Sequence, residues 1–139
     1  GKVAWILGIV IFALTVAEGV LGAQVRELTD ELAKNAGSDE RALWTRELEK
    51  SGVYLIHRSF SWLIVVGAGA LLILLRQLPS GIWWPDKMIG FLVGSLLVMG
   101  VLLAHVGILP EVQVLHVGAA ALLVSVLFFW VLATRFQSS

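Results

Sequence analysis

Four long runs of apolar residues account for most of the chain, at about residues 3–25, 53–75, 88–106 and 112–133. Each is close to the roughly 20 residues that a helix needs to cross a hydrocarbon core of about 30 Å. Lipid offers no partner for backbone amides, and the runs lack the alternation of a barrel strand, so each is predicted to be a transmembrane helix. The sequence therefore predicts one all-α domain over residues 1–139, built as an antiparallel four-helix transmembrane bundle.

The composition agrees with a membrane protein. The mean hydropathy is +0.90, 58% of the residues are hydrophobic and 14% are charged, which is unlike a soluble domain of this length. The lipid bilayer is therefore an expected partner. A formal net charge of zero argues against nucleic acid as a partner, and the absence of cysteine excludes disulfides and thiolate metal sites.

An even number of spans places both termini on one side of the membrane, here called side A, together with the turn at 76–87. Loops 26–51 and 107–111 then lie on the opposite side, side B. A strict count of Lys and Arg favours side B as the cytoplasmic side, whereas basic residues in the short segments beside the helices favour side A. We interpret side A as the cytoplasmic side of a cell membrane or mitochondrial inner membrane, with side B facing outward. Four tryptophans map to the side A boundary and are interpreted as interfacial anchors: Trp5, Trp83, Trp84 and Trp130.

The long side B loop has the pattern of a short amphipathic helix at 38–50. Acidic residues follow Ser38, a potential N-cap, and Leu43, Trp44 and Leu48 recur at helical spacing. A surface helix that only covers the bundle is the simpler interpretation. A lid over a cofactor pocket is the alternative.

Two histidines, His57 and His116, each lie about five residues inside the side B end of a span, so both imidazoles are expected about 7 Å below side B. Neutral imidazole is a common axial ligand of haem iron, and bundles supply such ligands from facing helices. We therefore predict that both histidines bind a haem iron. The alternative is that each satisfies a polar contact in the core.

The surroundings of the histidines allow both interpretations. Small residues at Ser61 and at 118–121 could leave room for a flat macrocycle or serve close helix packing. Arg26 and Arg58 lie at the side B rim, where their guanidinium groups could pair with haem propionates or extend to lipid head groups.

Two other polar residues of the spans have several possible roles. His105 is about a turn shallower than the other histidines; it could replace either ligand, and we interpret it as a group beside them. Glu18 lies deeper in the first span. A carboxyl group there pairs with an arginine, stays protonated or carries protons.

Three motifs resemble those of the haem A synthase family. Residues 18–26, EGVLGAQVR, resemble the family's QxxLGAxVR; IHR at 56–58 resembles its histidine-arginine pair; LHVGAAALL at 115–123 resembles its last-helix histidine motif. These enzymes typically consist of two four-helix halves and oxidise the methyl group of haem o to the formyl group of haem a. The resemblance implies that this chain is one half of such an oxidoreductase. It also implies a second four-helix half or a like subunit as partner, with haem o and haem a as substrate and product.

The residue three positions before His57 distinguishes the two halves in this family. A glutamate usually stands there in the half that holds the substrate haem, and this chain has Tyr54. The resemblance therefore points to the carboxyl-terminal half, which binds haem b and passes electrons, with His57 and His116 as axial ligands and no catalytic residue assigned. The chain departs from the family at Glu18, where glutamine is usual.

Two other functions are compatible with the sequence. A free-standing b-type cytochrome could pass electrons between a quinone and a partner with the same histidine pair. A cofactor-free membrane assembly subunit could use the histidines only for internal contacts.

Overall fold

Four long α-helices dominate the fold in the computed structural model, which describes residues 1–137. Helix α1 spans Lys2–Ala36, α3 spans Gly52–Arg76, α4 spans Trp84–His105 and α5 spans Pro110–Gln137. A 3-10 turn at Arg41–Leu43 and the short α2 at Thr45–Lys50 connect α1 to α3. All four long helices are long and apolar enough to cross a membrane, and the described residues form no strand. The predicted all-α transmembrane four-helix bundle is thus confirmed.

The main difference from the predicted spans is the length of α1. The apolar run ends near residue 25, but the helix continues to Ala36. Its 35 residues measure about 52 Å, well beyond a hydrocarbon core of about 30 Å. The helix persists because Leu28, Leu32 and Ala33 keep an apolar stripe against which the side B loop packs. Gly37 ends it in the left-handed conformation, with φ 65°.

The helices are arranged around the bundle in the order α1, α3, α4, α5, and α5 packs back against α1. Helices α3 and α5 are therefore diagonal to each other, as are α1 and α4. Side chains of α3 and α5 can consequently meet across the bundle axis.

A packed core fills the half of the bundle towards side A. All four helices contribute buried side chains, among them Ile11, Leu71, Ile89 and Leu127. This core extends towards side B as far as Thr15, Ile64, Val93 and Leu123. Dense apolar packing here gives the bundle a core that is built entirely from its own side chains.

The interpretation of Trp130 as an interfacial anchor is wrong, because this side chain is 1% exposed and belongs to the core. Its Nε1 donates to Oδ1 of buried Asp86 at 2.6 Å, and Oδ2 of Asp86 accepts from the backbone N–H of Trp83 at 2.7 Å. The carboxylate thus ties the start of α4 to α5. The rings of Trp83 and Trp84 remain exposed and pack against Phe129.

The half of the bundle towards side B, here called the loosely packed half, contains no fully buried residue among those described. It comprises 16–28 of α1, 53–63 of α3, 94–105 of α4 and 110–122 of α5. Protein interiors normally pack as densely as organic crystals, with few voids. The buried core therefore does not extend into this half, although this half lies within the predicted membrane spans.

The side B loop forms a cap on the mouth of the bundle. Trp44 and Leu48 are buried with Ala33 of α1, and Tyr54 of α3 and Ile108 of the α4–α5 turn pack against them. Contacts with three parts of the bundle place the cap directly beyond the loosely packed half.

The predicted amphipathic helix at 38–50 is present only in part, as the 3-10 turn and α2. The backbone leaves the helical conformation at Trp44, with φ −133° and ψ 4°, where the indole Nε1 donates to the carbonyl of Ser38 at 3.3 Å. Leu43 is consequently 62% exposed instead of lying on the apolar stripe. Ser38 caps neither helical segment; its Oγ accepts from the N–H of Glu40.

Candidate functional site

His57 lies on the face of α3 that packs against α1. Its Nδ1 is 2.8 Å from Oε1 of Glu18, and the two side chains are 21% and 13% exposed. A Cβ at Gly22 would lie 3.3 Å from Cε1 of His57. Because Gly22 has no side chain, the imidazole can approach α1 closely, one turn from Glu18 along the helix.

Glu18 and Ser61 complete a polar cluster around His57. The Ser61 hydroxyl lies 2.5 Å from Oε1 of Glu18 and 2.9 Å from the backbone carbonyl oxygen of His57. Oε2 of Glu18 is buried and has no hydrogen-bond partner among the described residues. The carboxyl group therefore contacts a histidine and a serine, and pairing with an arginine, one of the three alternatives, is not found among the described residues.

His116 approaches the same region from α5. It lies close enough to both His57 and Glu18 to interact with them electrostatically. A Cβ at Gly100 of α4 would lie 3.7 Å from Cε1 of His116. Each imidazole thus lies beside a glycine of the neighbouring helix, and the two predicted ligands lie on diagonal helices within electrostatic range of each other.

Both histidines bury the same ring nitrogen. Nδ1 of His57 and Nδ1 of His116 are enclosed by protein and make no aligned hydrogen bond within the described chain, whereas Nε2 of neither is among such buried atoms. Histidine ligands commonly bind a metal through one nitrogen while the other faces a protein group. The arrangement leaves Nε2 as the nitrogen of each ring that could bind a ligand.

The donor set of this site suits a haem better than a bare metal ion. The described residues contain no group of three or more His, Cys, Asp or Glu side chains that could hold an ion. Protein sites for bare ions generally need three or four ligands, whereas a haem brings four nitrogens and requires at most two axial ligands. Two imidazoles beside a loosely packed apolar region fit that requirement.

The two arginines predicted to bind propionates are exposed. Arg26 lies two turns beyond Glu18 on α1, and Arg58 projects about 100° around α3 from His57. In the described structure, neither guanidinium forms an ion pair or a hydrogen bond with the histidines or with Glu18. Their role at the propionates stays a prediction.

His105 and Tyr54 lie outside the histidine pair. His105 is exposed at the end of α4 and lines a surface groove with Arg41, Thr45 and Glu49 of the cap. Tyr54 is half-buried and packs in the cap cluster. The structure therefore does not bring His105 to the site as a third ligand.

Sequence reasoning missed the contacts of Glu18 with His57 and Ser61. Ser61 was identified only as a small residue, and no partner in α3 was assigned to Glu18. Their depth in the membrane could have indicated this contact, because Glu18 and Ser61 are polar residues at similar depth on two successive antiparallel helices.

Comparison with models of known protein families, with curated proteins and with solved structures finds no match for the chain. The resemblance to haem A synthases therefore rests on the three sequence motifs alone.

Proposed function

We propose that the chain binds one haem b between α3 and α5, with His57 and His116 as axial ligands, and serves as the electron-transferring half of a haem A synthase. The observation that carries this proposal is the position of the two histidines on diagonal helices, within electrostatic range of each other. Both lie in the loosely packed half of the bundle, directly below the cap.

The proposed chemistry is one-electron transfer. A haem with both axial positions filled exchanges electrons without an open position for oxygen. The chain's own residues supply the ligand atoms and an apolar surrounding, and Trp44 and Leu48 of the cap limit the access of water from side B.

Oxidation of the haem o methyl group is assigned to a second four-helix half or a like subunit. Tyr54 supports this division, because it stands where the substrate-binding half usually carries a glutamate and it packs in the cap cluster. We therefore assign no catalytic residue to this chain, and we propose that side B faces outward in a cell membrane or mitochondrial inner membrane.

The first test is the reduced-minus-oxidised absorption spectrum of the detergent-purified protein supplied with haem. We expect a low-spin b-type spectrum in the wild type and its loss in both His57→Ala and His116→Ala. His105→Ala is the control, because this histidine lies near the same side of the membrane, about a turn shallower and outside the pair, and it should retain the wild-type spectrum.

Two results would contradict the haem site: a folded wild type that stays colourless with haem, or a low-spin spectrum that survives in both histidine variants. A second experiment tests the role in haem A formation, by co-expressing the chain with a haem o source and a candidate second half. We expect haem a only when both are present. Reduction by quinol without any haem a would favour the free-standing cytochrome.

A further inference from the structure

The carboxyl group of Glu18 is unusual because it lies inside a membrane span yet, among the described residues, has no lysine or arginine side chain as its partner. Its two oxygen atoms also differ. Oε1 is contacted by the Ser61 hydroxyl and by Nδ1 of His57, whereas Oε2 is buried without a hydrogen-bond partner in the described chain. A buried polar group is costly unless it is partnered, so the contacts at Oε1 must account for the retention of Glu18 at this depth.

The geometry around Oε1 indicates which atoms carry hydrogen. The Ser61 hydroxyl lies between two oxygens, Oε1 of Glu18 and the backbone carbonyl of His57, and its single hydrogen is shared between these two acceptors. Oε1 is therefore an acceptor. A nitrogen 2.8 Å from an acceptor oxygen is favourable only if the nitrogen bears a hydrogen. In a neutral imidazole with its hydrogen on Nδ1, the lone pair is on Nε2.

We propose that Glu18 is a positioning residue that holds His57 as the Nδ1–H tautomer, with Nε2 directed to the iron. Ser61 orients the carboxyl group, and Gly22 allows the imidazole to reach it. The part that concerns iron rests on the proposed haem site. The tautomer itself is a property of the protein without haem and can be measured separately.

This arrangement makes the two axial ligands unequal. Neither Nδ1 makes an aligned hydrogen bond in the described chain, but Nδ1 of His57 has a carboxylate oxygen at 2.8 Å, whereas no such contact is made by Nδ1 of His116 within the described residues. A hydrogen bond from the outer nitrogen to a carboxyl group makes an imidazole a stronger donor to the metal. A stronger donor stabilises the oxidised iron, so Glu18 is expected to lower the reduction potential of the haem.

The tautomer is tested by nitrogen-15 NMR of the histidine side chains in the haem-free protein, with signals assigned through the histidine variants. The wild type should show His57 with hydrogen on Nδ1. Glu18→Gln keeps an acceptor oxygen and should retain this tautomer, whereas Glu18→Leu removes the acceptor and should lose the preference. An Nε2–H tautomer in the wild type, or an unchanged signal in Glu18→Leu, would overturn the proposal.

The effect on iron is tested by redox titration and by haem titration of the same variants. Glu18→Gln should raise the reduction potential, and Glu18→Leu should raise it further and weaken haem binding about tenfold or more. Glu111→Gln is the control, since it removes an exposed carboxylate near side B. It should change neither the reduction potential nor the affinity for haem. Equal potentials in the wild type, Glu18→Gln and Glu18→Leu would refute the positioning role. A wild type that binds no haem would instead refute the proposed function, and the NMR result would still decide the tautomer.

Discussion

Two glycines determine how closely the histidines approach their neighbouring helices. Gly22 faces His57, and Gly100 faces His116, with the hypothetical Cβ closer at Gly22. Glycine in a helix costs about 1 kcal/mol relative to alanine. We therefore expect that glycine at position 22 provides the space that the imidazole of His57 needs.

We predict that Gly19→Ala stabilises the protein and that Gly22→Ala does not. At Gly19 a Cβ would meet nothing within 4 Å, so alanine should raise the free energy of unfolding by about 1 kcal/mol through helix propensity. At Gly22 the Cβ would press on Cε1 of His57 at 3.3 Å. The increase in the free energy of unfolding from helix propensity should then be cancelled at this position, and haem binding should be weakened. Denaturant unfolding in detergent and haem titration measure the two effects.

Equal gains in stability and unchanged haem affinity for both variants would show that His57 is not held against Gly22. The pair is well matched, because both glycines belong to α1 and lie one turn apart.

The sequence predicted the depth of the histidines better than their contacts. Depth follows from the rise of a helix and the end of an apolar run, so His57 and His116 could be placed by counting. The contact between Glu18 and His57 depends on how α1 and α3 are rotated about their axes. Spans that are apolar nearly all round give little periodic signal for that rotation.

At the scale of elements, hydropathy located the membrane spans but not the true end of α1. The apolar run stops near residue 25, and the helix continues because a stripe around Leu28 and Leu32 packs under the cap. Hydropathy averages all faces of a helix, whereas packing needs only one. The same limitation explains Trp130, whose position near the boundary indicated an anchor although its ring is buried in the core.

We predict that the cap depends on Trp44 and not on its neighbour Leu43. Trp44 is 3% exposed and Leu43 is 62% exposed. Replacing a buried tryptophan by alanine typically costs 3–5 kcal/mol, which is about what a small substructure can lose before it opens. Trp44→Ala should therefore accelerate trypsin cleavage after Arg46 or Lys50 by about tenfold or more. Leu43→Ala should leave the cleavage rate unchanged.

Limited proteolysis in detergent micelles, followed by mass spectrometry of the fragments, measures these rates. Equal cleavage of Trp44→Ala and the wild type would mean that the cap is held by other contacts.

The whole molecule is asymmetric across the membrane. Towards side A, a packed core links all four helices, and the carboxylate of Asp86 has hydrogen bonds from both α4 and α5. Towards side B, the loosely packed half holds the histidines beneath the cap. The core does not include either histidine. Variants of the histidines should therefore fold, which makes the loss of a haem spectrum interpretable as loss of a ligand.

The orientation of the protein in the membrane is also a property of the whole molecule. Four spans place the termini and the turn after α3 on one side and the cap on the other. Basic residues near the side A helix ends favour the cytoplasm for that side. Asp86, the acidic residue of that side within the described sequence, is 2% exposed and hydrogen-bonded inside the protein, and acidic residues have little weight in this rule.

The absence of native cysteine allows this orientation to be tested with single-cysteine variants. Ala42→Cys lies in the cap and Ser80→Cys in the turn after α3, and both positions are exposed. In intact cells, a membrane-impermeant maleimide should label Ala42→Cys readily and Ser80→Cys only after permeabilisation. The reverse labelling pattern would mean that side B faces the cytoplasm, and it would still agree with four spans. Labelling of both from outside would contradict the bundle's topology, because the cap and this turn are separated by one crossing, α3.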